Sequence, residues 1–195
     1  MILLGSTIIK APVVSIQTGA VIGETLRAII DPAKLNIEAY EVKGPLISVH
    51  PTYIRVADIR EISDIGAIVD SEDELIRSGD VIRIDELENL KFNLLGMLVT
   101  DEKRKKLGKI VDYTLDMSSF YIQQLTVKRP LISSLNDTEL LVHRTQIIEI
   151  NNTSVVVHSE ASAPEPERSE VIGSYVNPFR KPVEQAGEQH AANTN

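Results

Sequence analysis

Residues 103–133 repeat an earlier stretch of the same chain. Sliding 18–48 onto them without a gap, at an offset of 85, pairs Gly23 with Gly108, Asp31 with Asp116 and Ile37 with Ile122. It also pairs Val42-Lys43 with Val127-Lys128, and Pro45-Leu46-Ile47-Ser48 with Pro130-Leu131-Ile132-Ser133. These are nine identities in 31 positions, and several mismatches, such as Ile22 with Leu107 and Leu35 with Phe120, exchange one apolar residue for another. A repeat constrains the fold more tightly than composition does, because both copies have to be the same structural unit. Two units are therefore expected.

Each copy reads as a run of short strands. Leu3-Leu4-Gly5 and Leu94-Leu95-Gly96 open the two units, with first strands at Ile8-Ile9 and Leu98-Val99. The connection that follows, 10–22, is mostly neutral in the first copy, whereas the second is expected to be six residues shorter and densely basic. Val111, Tyr113 and Leu115 then alternate with Asp112, Thr114 and Asp116, the period of a half-buried strand, and Leu26, Ala28 and Ile30 repeat the inward set. Asp31-Pro32-Ala33-Lys34 carries Asp and Pro where a type I turn prefers them, and Asp116-Met117-Ser118-Ser119 matches it without the proline. In the next strand apolar residues fall at 37, 40 and 42, and again at 122, 125 and 127. A spacing of three and then two predicts one inserted residue, a β-bulge, at the same place in each copy.

After Pro45 and Pro130 the copies realign at an offset of 88, Ile59-Arg60-Glu61-Ile62 on Ile147-Ile148-Glu149-Ile150 and Ala67-Ile68-Val69 on Val155-Val156-Val157. Five or six short strands in about 70 residues suit a small closed barrel better than a sandwich. Between the copies, Ser71-Glu72-Asp73-Glu74 is a capping box, and Gly79 is placed to stop the helix it starts. Val81 to Phe92 is too apolar for a tether, whether helical or extended, so the units are expected to pack together. The expected architecture is mainly β: a first barrel over 1–70, a linker with a short helix over 71–93, a second barrel over 94–158, and a disordered tail over 159–195. An apolar island at 171–182 interrupts that tail.

The doubled pattern of Leu107-Gly108-Lys109-Ile110-Val111-Asp112, an Asp-led turn, and a strand with Ile122, Leu125 and Val127 resembles the PRC-barrel family, which takes its name from the cytoplasmic barrel of the photosynthetic reaction-centre H subunit. The likeness covers most of 1–158. It implies the fold and little about function, since its motifs are glycines, turns and apolar spacings. Family members include a ribosome-maturation factor, a regulator of electron and proton transfer beside quinones, and small proteins tied to sporulation or cell division.

Charge narrows the function. The net charge is −8, an unfavourable balance for a protein mainly engaged with nucleic acid. Yet residues 86–158 hold 9 acids and 9 bases, against 13 and 8 before them and 6 and 3 after. Lys103, Arg104, Lys105, Lys106 and Lys109 form a candidate anion-binding hairpin, which Lys128 and Arg129 extend. Cysteine is absent, which excludes disulfides, thiolate metal sites and a cysteine nucleophile. His50, His143, His158 and His190 show no metal-ligand spacing with acids, and Asp112 and Asp116 read as a solvated strand face with a turn cap. No catalytic residue, metal site or cofactor site is expected. Val171, Ile172, Tyr175, Val176 and Phe179 form a candidate partner-binding motif. No apolar run approaches the roughly 20 residues of a membrane span.

The expected protein is thus a non-enzymatic cytoplasmic interaction or adaptor module, linked to division, sporulation-like or membrane-proximal assemblies, with one or more protein partners. The alternative is an RNA-associated or ribosome-maturation factor using the basic hairpin. Self-association into a homodimer is left open.

Overall fold

A computed structural model of the chain describes residues 1–45, 47–129 and 139–159. The first half runs β1 (Ile2–Leu4), α1 (Gly5–Ile8), β2 (Pro12–Ser15), β3 (Val21–Asp31), β4 (Asn36–Lys43), β5 (Thr52–Arg55), β6 (Ile59–Ser63), β7 (Gly66–Val69) and β8 (Leu75–Arg77). Helix α2 (Ile82–Asn89) leads to β9 (Leu98–Asp101), β10 (Lys106–Asp116), β11 (Tyr121–Lys128), β12 (Glu139–His143), β13 (Ile147–Ile150) and β14 (Ser154–Val157).

The two long hairpins have matching registers. The long hairpins β3–β4 and β10–β11 are twins at an offset of 85, and the expected bulge is present in both. Ile29 pairs with Ala39 and Ile30 with Ile37, so Glu38 is the inserted residue. Thr114 pairs with Gln124 and Leu115 with Ile122, so Gln123 takes that place in the second half. Each Asp-led turn closes alike: Leu35 N–H donates to the Asp31 carbonyl at 2.8 Å, and Phe120 N–H to the Asp116 carbonyl at 2.7 Å. The last turn residue is left-handed in both, Leu35 at φ 54° and Phe120 at φ 55°.

Four expectations need correction. The first strand of copy one is β2 at Pro12–Ser15, not Ile8-Ile9. Lys10 N–H donates to the Thr25 carbonyl as Gly96 N–H donates to that of Ile110, both at 2.8 Å. The true equivalence is therefore Lys10 with Gly96, and the Leu-Leu-Gly match is coincidental. Consequently the basic connection is one residue shorter than its neutral twin, not six. Strict alternation in β3 and β10 also fails, because each holds a second bulge, at Leu26 and Val111. Those two residues are exposed, and Ile110 is buried instead. Finally, the capping box at Ser71 starts only a single 3₁₀ turn, Glu72–Glu74. Pairing of Leu75–Arg77 with β5 outcompetes helix propagation, and the helix forms later, at Ile82–Asn89.

The strands make one open mixed sheet, in the order β13-β14-β9-β10-β11-β4-β3-β2-β7-β6, with the others attached to it. The halves meet where two reciprocal hydrogen bonds cross: Ile37 N–H to the Phe120 carbonyl and Ile122 N–H to the Leu35 carbonyl, each 3.0 Å. Arg144 strengthens this seam by donating to the Lys34 carbonyl and lying 4.7 Å over the Tyr121 ring. Segments that precede each half lie on the opposite half. β1 pairs with β10, Leu3 opposite Leu115, while α2 packs Ile84 and Leu87 onto Ile29, Ala39 and Tyr53. One core runs through both halves, from Val13 and Ile37 to Ile122 and Val155. The described residues accordingly fall in one compact unit, Met1–Ala163.

Candidate functional site

The basic hairpin is built around one acid. Asp101, the last residue of β9, is buried, and its carboxylate accepts the backbone N–H groups of Lys103 at 2.9 Å and Lys105 at 2.8 Å. This is the side-chain-to-backbone turn that Asp favours. It leaves the loop side chains facing outwards: Lys103, Arg104, Lys105, Lys106 and Lys109 are all exposed. Arg104 is left-handed at φ 63°, where its twin Gly19 has φ 68°. Ser15 takes the place of Asp101 in the first half and caps its turn through Oγ to Thr18 N–H. On the far side of the hairpin, Glu102 is occupied by His158 Nδ1 and Ser159 Oγ, both at 3.0 Å.

The twin comparison isolates what is special about this face. At the foot of the first-half hairpin, Glu24 sits opposite Lys43 and the two form an ion pair at 3.2 Å. Their twins are Lys109 and Lys128, again directly opposite each other but with like charge. The first-half loop residues Thr18, Gly19, Ala20 and Val21 become Lys103, Arg104, Lys105 and Lys106. Among the described residues none of these four cations, nor Lys109, lies within ion-pair distance of an acid, although arginines 27, 55, 60 and 83 all do. Among the described residues, five cations outside ion pairs and a like-charge pair on adjacent strands give this face a positive field.

The other sequence candidates separate. Asp116 is the turn cap, accepting Ser118 N–H and the hydroxyls of Ser118 and Ser119. Asp112 does more than face solvent: it accepts both the N–H and the hydroxyl of Ser6, fastening α1 to β10. Its twin Arg27 performs the matching task, joining Glu88 of α2 at 2.6 Å while also pairing with Glu41. Sequence reading did not reveal these two ties, because their partners lie in the opposite half. His143 caps the 3₁₀ turn after β12, accepting Thr145 N–H. Among the described residues no group of three His, Asp or Glu side chains could hold a metal ion. A groove of about 510 Å³ runs between β3 and the α2–β9 connection, lined by Leu26, Ala28, Phe92, Leu95 and Tyr113, but Arg27 and Glu88 at its rim are already paired. The candidate motif Val171, Ile172, Tyr175, Val176 and Phe179 lies outside the described residues, as does His190.

No helix among the described residues is long and apolar enough to cross a membrane. No known family pattern and no curated protein matches the chain.

Proposed function

We propose that this chain is a non-enzymatic cytoplasmic interaction module, built from two PRC-type barrels, that docks an acidic segment of a protein partner on its basic hairpin. The barrel reading is supported by the twin bulges, the twin Asp-led turns and the same ladder in each half. In that ladder, β2 and β9 each lie between a long antiparallel strand and a parallel one. One observation carries the docking reading: the Glu24–Lys43 ion pair of the first half is replaced by Lys109 opposite Lys128, beside an exposed and unpaired Lys-Arg-Lys-Lys loop. Like charges directly opposite on adjacent strands destabilise by up to about 1 kcal/mol, which a bound anion would reverse. Lysines act as point charges that meet carboxylates from several directions. The set contains no aromatic side chain on which an unpaired base could stack.

The same cations would also neutralise phosphates, which keeps RNA as the second reading. Fluorescence anisotropy with two labelled probes, a Glu-rich peptide and a single-stranded RNA of about 16 nucleotides, separates them. The peptide is expected to bind, and Lys109→Glu, which installs the ion pair of the first half, is expected to abolish binding without unfolding the chain. Binding of the RNA alone, with a log–log salt slope near −0.7 per phosphate, would replace the first reading with the second. Silence from both probes would remove the site. On sequence grounds, Tyr175 and Phe179 remain proposed anchors of a separate docking motif, checked by loss of a captured partner in the double alanine variant.

A further inference from the structure

The second half has an edge that the first half covers. Strand β5 lies between β4 and β8, with Thr52 opposite Arg77, Tyr53 opposite Ile76 and Ile54 opposite Leu75. Its twin at an offset of 88 is β12, paired with β11 in the same antiparallel manner. Among the described residues no strand pairs with the outer side of β12. The faces differ as well: Tyr53 is 0% exposed beneath Ile84 and Leu87 of α2, with Ile76 of β8 beside it, whereas its twin Leu141 is 54% exposed. Unpaired edge N–H and C=O groups beside an exposed leucine form a template for another strand, and β5 shows what such a strand does when present.

We propose that the outer edge of β12 pairs antiparallel with β12 of a second copy of this chain, about a two-fold axis through Leu141. The sequence Glu139-Leu140-Leu141-Val142-His143 is self-complementary in that register. Residues directly opposite in an antiparallel pair point to the same face, so buried Leu140 and Val142 have to face each other and cannot face Leu141. Of the registers that satisfy this, the one centred on Leu141 pairs all five residues, Leu140 with Val142 and Leu141 with itself. It also sets the Glu139 carboxylate of one copy opposite His143 of the other. His143 Nδ1 is engaged by Thr145, whose N–H donates to it at 3.3 Å and whose Oγ1 lies at 2.9 Å, which leaves Nε2 as the ring nitrogen available to that carboxylate. Lysine and proline, the residues that commonly blunt an edge strand, are absent from β12. The self-complementary register, with Glu139 opposite His143 at both ends, selects a second copy as the occupant.

A five-residue strand pair is small against the roughly 1,200 Å² of a stable interface, so the dimer is expected to form in the micromolar range or above. Sedimentation velocity of the full chain from about 1 μM to a few hundred μM should show the mass rising from 21.6 kDa towards twice that value. Leu141→Lys should keep the circular dichroism spectrum of the parent and remain monomeric. Because the chain has no cysteine, Leu141→Cys introduces a unique thiol that should cross-link two copies under mild oxidation. Glu139→Cys alone should not, whereas Glu139→Cys mixed with His143→Cys should give the mixed dimer. A chain that stays monomeric throughout, with the Leu141→Cys thiol freely reactive towards maleimide, overturns the proposal. A monomer whose thiol is protected overturns it as well, since the edge is then covered from within one chain.

Discussion

At the scale of single residues, backbone conformation decides more than side-chain chemistry. A Cβ on Gly108 would lie 2.2 Å from the Lys128 carbonyl oxygen, at φ 156°. Gly108→Val is therefore expected to lower stability by more than about 2 kcal/mol, the range of strain at special backbone positions, as read from the denaturant midpoint. The opposite sign is expected at Arg104, where Gly occupies the twin position: a left-handed L-residue costs about 1–2 kcal/mol, so Arg104→Gly should raise the melting temperature while removing one cation. The glycine was legible in the sequence because the repeat preserves it. The left-handed Lys10, Leu35 and Phe120 were not, since nothing in those side chains announces a positive φ. The acids respond to pH in one direction. Asp70 is held below the usual carboxylate range by its hydrogen bonds to Arg60, Asp116 by the Ser119 hydroxyl, and Glu102 by the Ser159 hydroxyl. Their folded pKa values lie below the unfolded ones, near about 4, so the stability they contribute is complete above that value and is lost as pH falls through the folded values. The melting temperature should hold from pH 7 to about 5 and decline below about 4.

Among the elements, α2 shows how a short helix is fixed in place. Its apolar face is only Ile84 and Leu87, and the charges around it complete the attachment. Arg83 reaches Asp31 at 2.6 Å, and that carboxylate is 1% exposed. Arg83→Met keeps the apolar stem and removes the nearest cation from a buried acid, which retains Ala33 N–H and, at 3.9 Å, Lys34 Nζ. A loss of about 1–3 kcal/mol is expected, with Asp31→Asn/Arg83→Met recovering part of it in a double-mutant cycle. The hairpins, the turns and one bulge in each half could be read from sequence because their signals are local: an Asp at a turn start, a period broken twice in the same way. Of the two helical readings in 71–93, the one at Ser71 gives only a 3₁₀ turn, and the helical alternative for 81–92 is the helix α2. Ser71-Glu72-Asp73-Glu74 is a sound local signal, but pairing of Leu75–Arg77 with β5 overrides it. The basic cluster of the candidate site was equally plain in the sequence. Its most informative pair, Lys109 opposite Lys128, emerges only once strand register places the two together.

For the whole molecule, the expectation of two units packed together leaves out the exchange of segments between halves. β1 belongs by sequence to the first half and by pairing to the second. Such contacts carry no local signal, so no reading of periodicity finds them. Unfolding should accordingly be a single transition, with calorimetric and van't Hoff enthalpies equal. A fragment of residues 94–159, deprived of β1 and α1, should lack the dispersed amide spectrum of a folded protein. The exchange also sets an order of events during synthesis. Leu3 is made before its partner Leu115, which follows more than a hundred residues later. At roughly 5–20 residues per second, β1 waits several seconds with its pairing edge open. Completion of β10 ends that exposure.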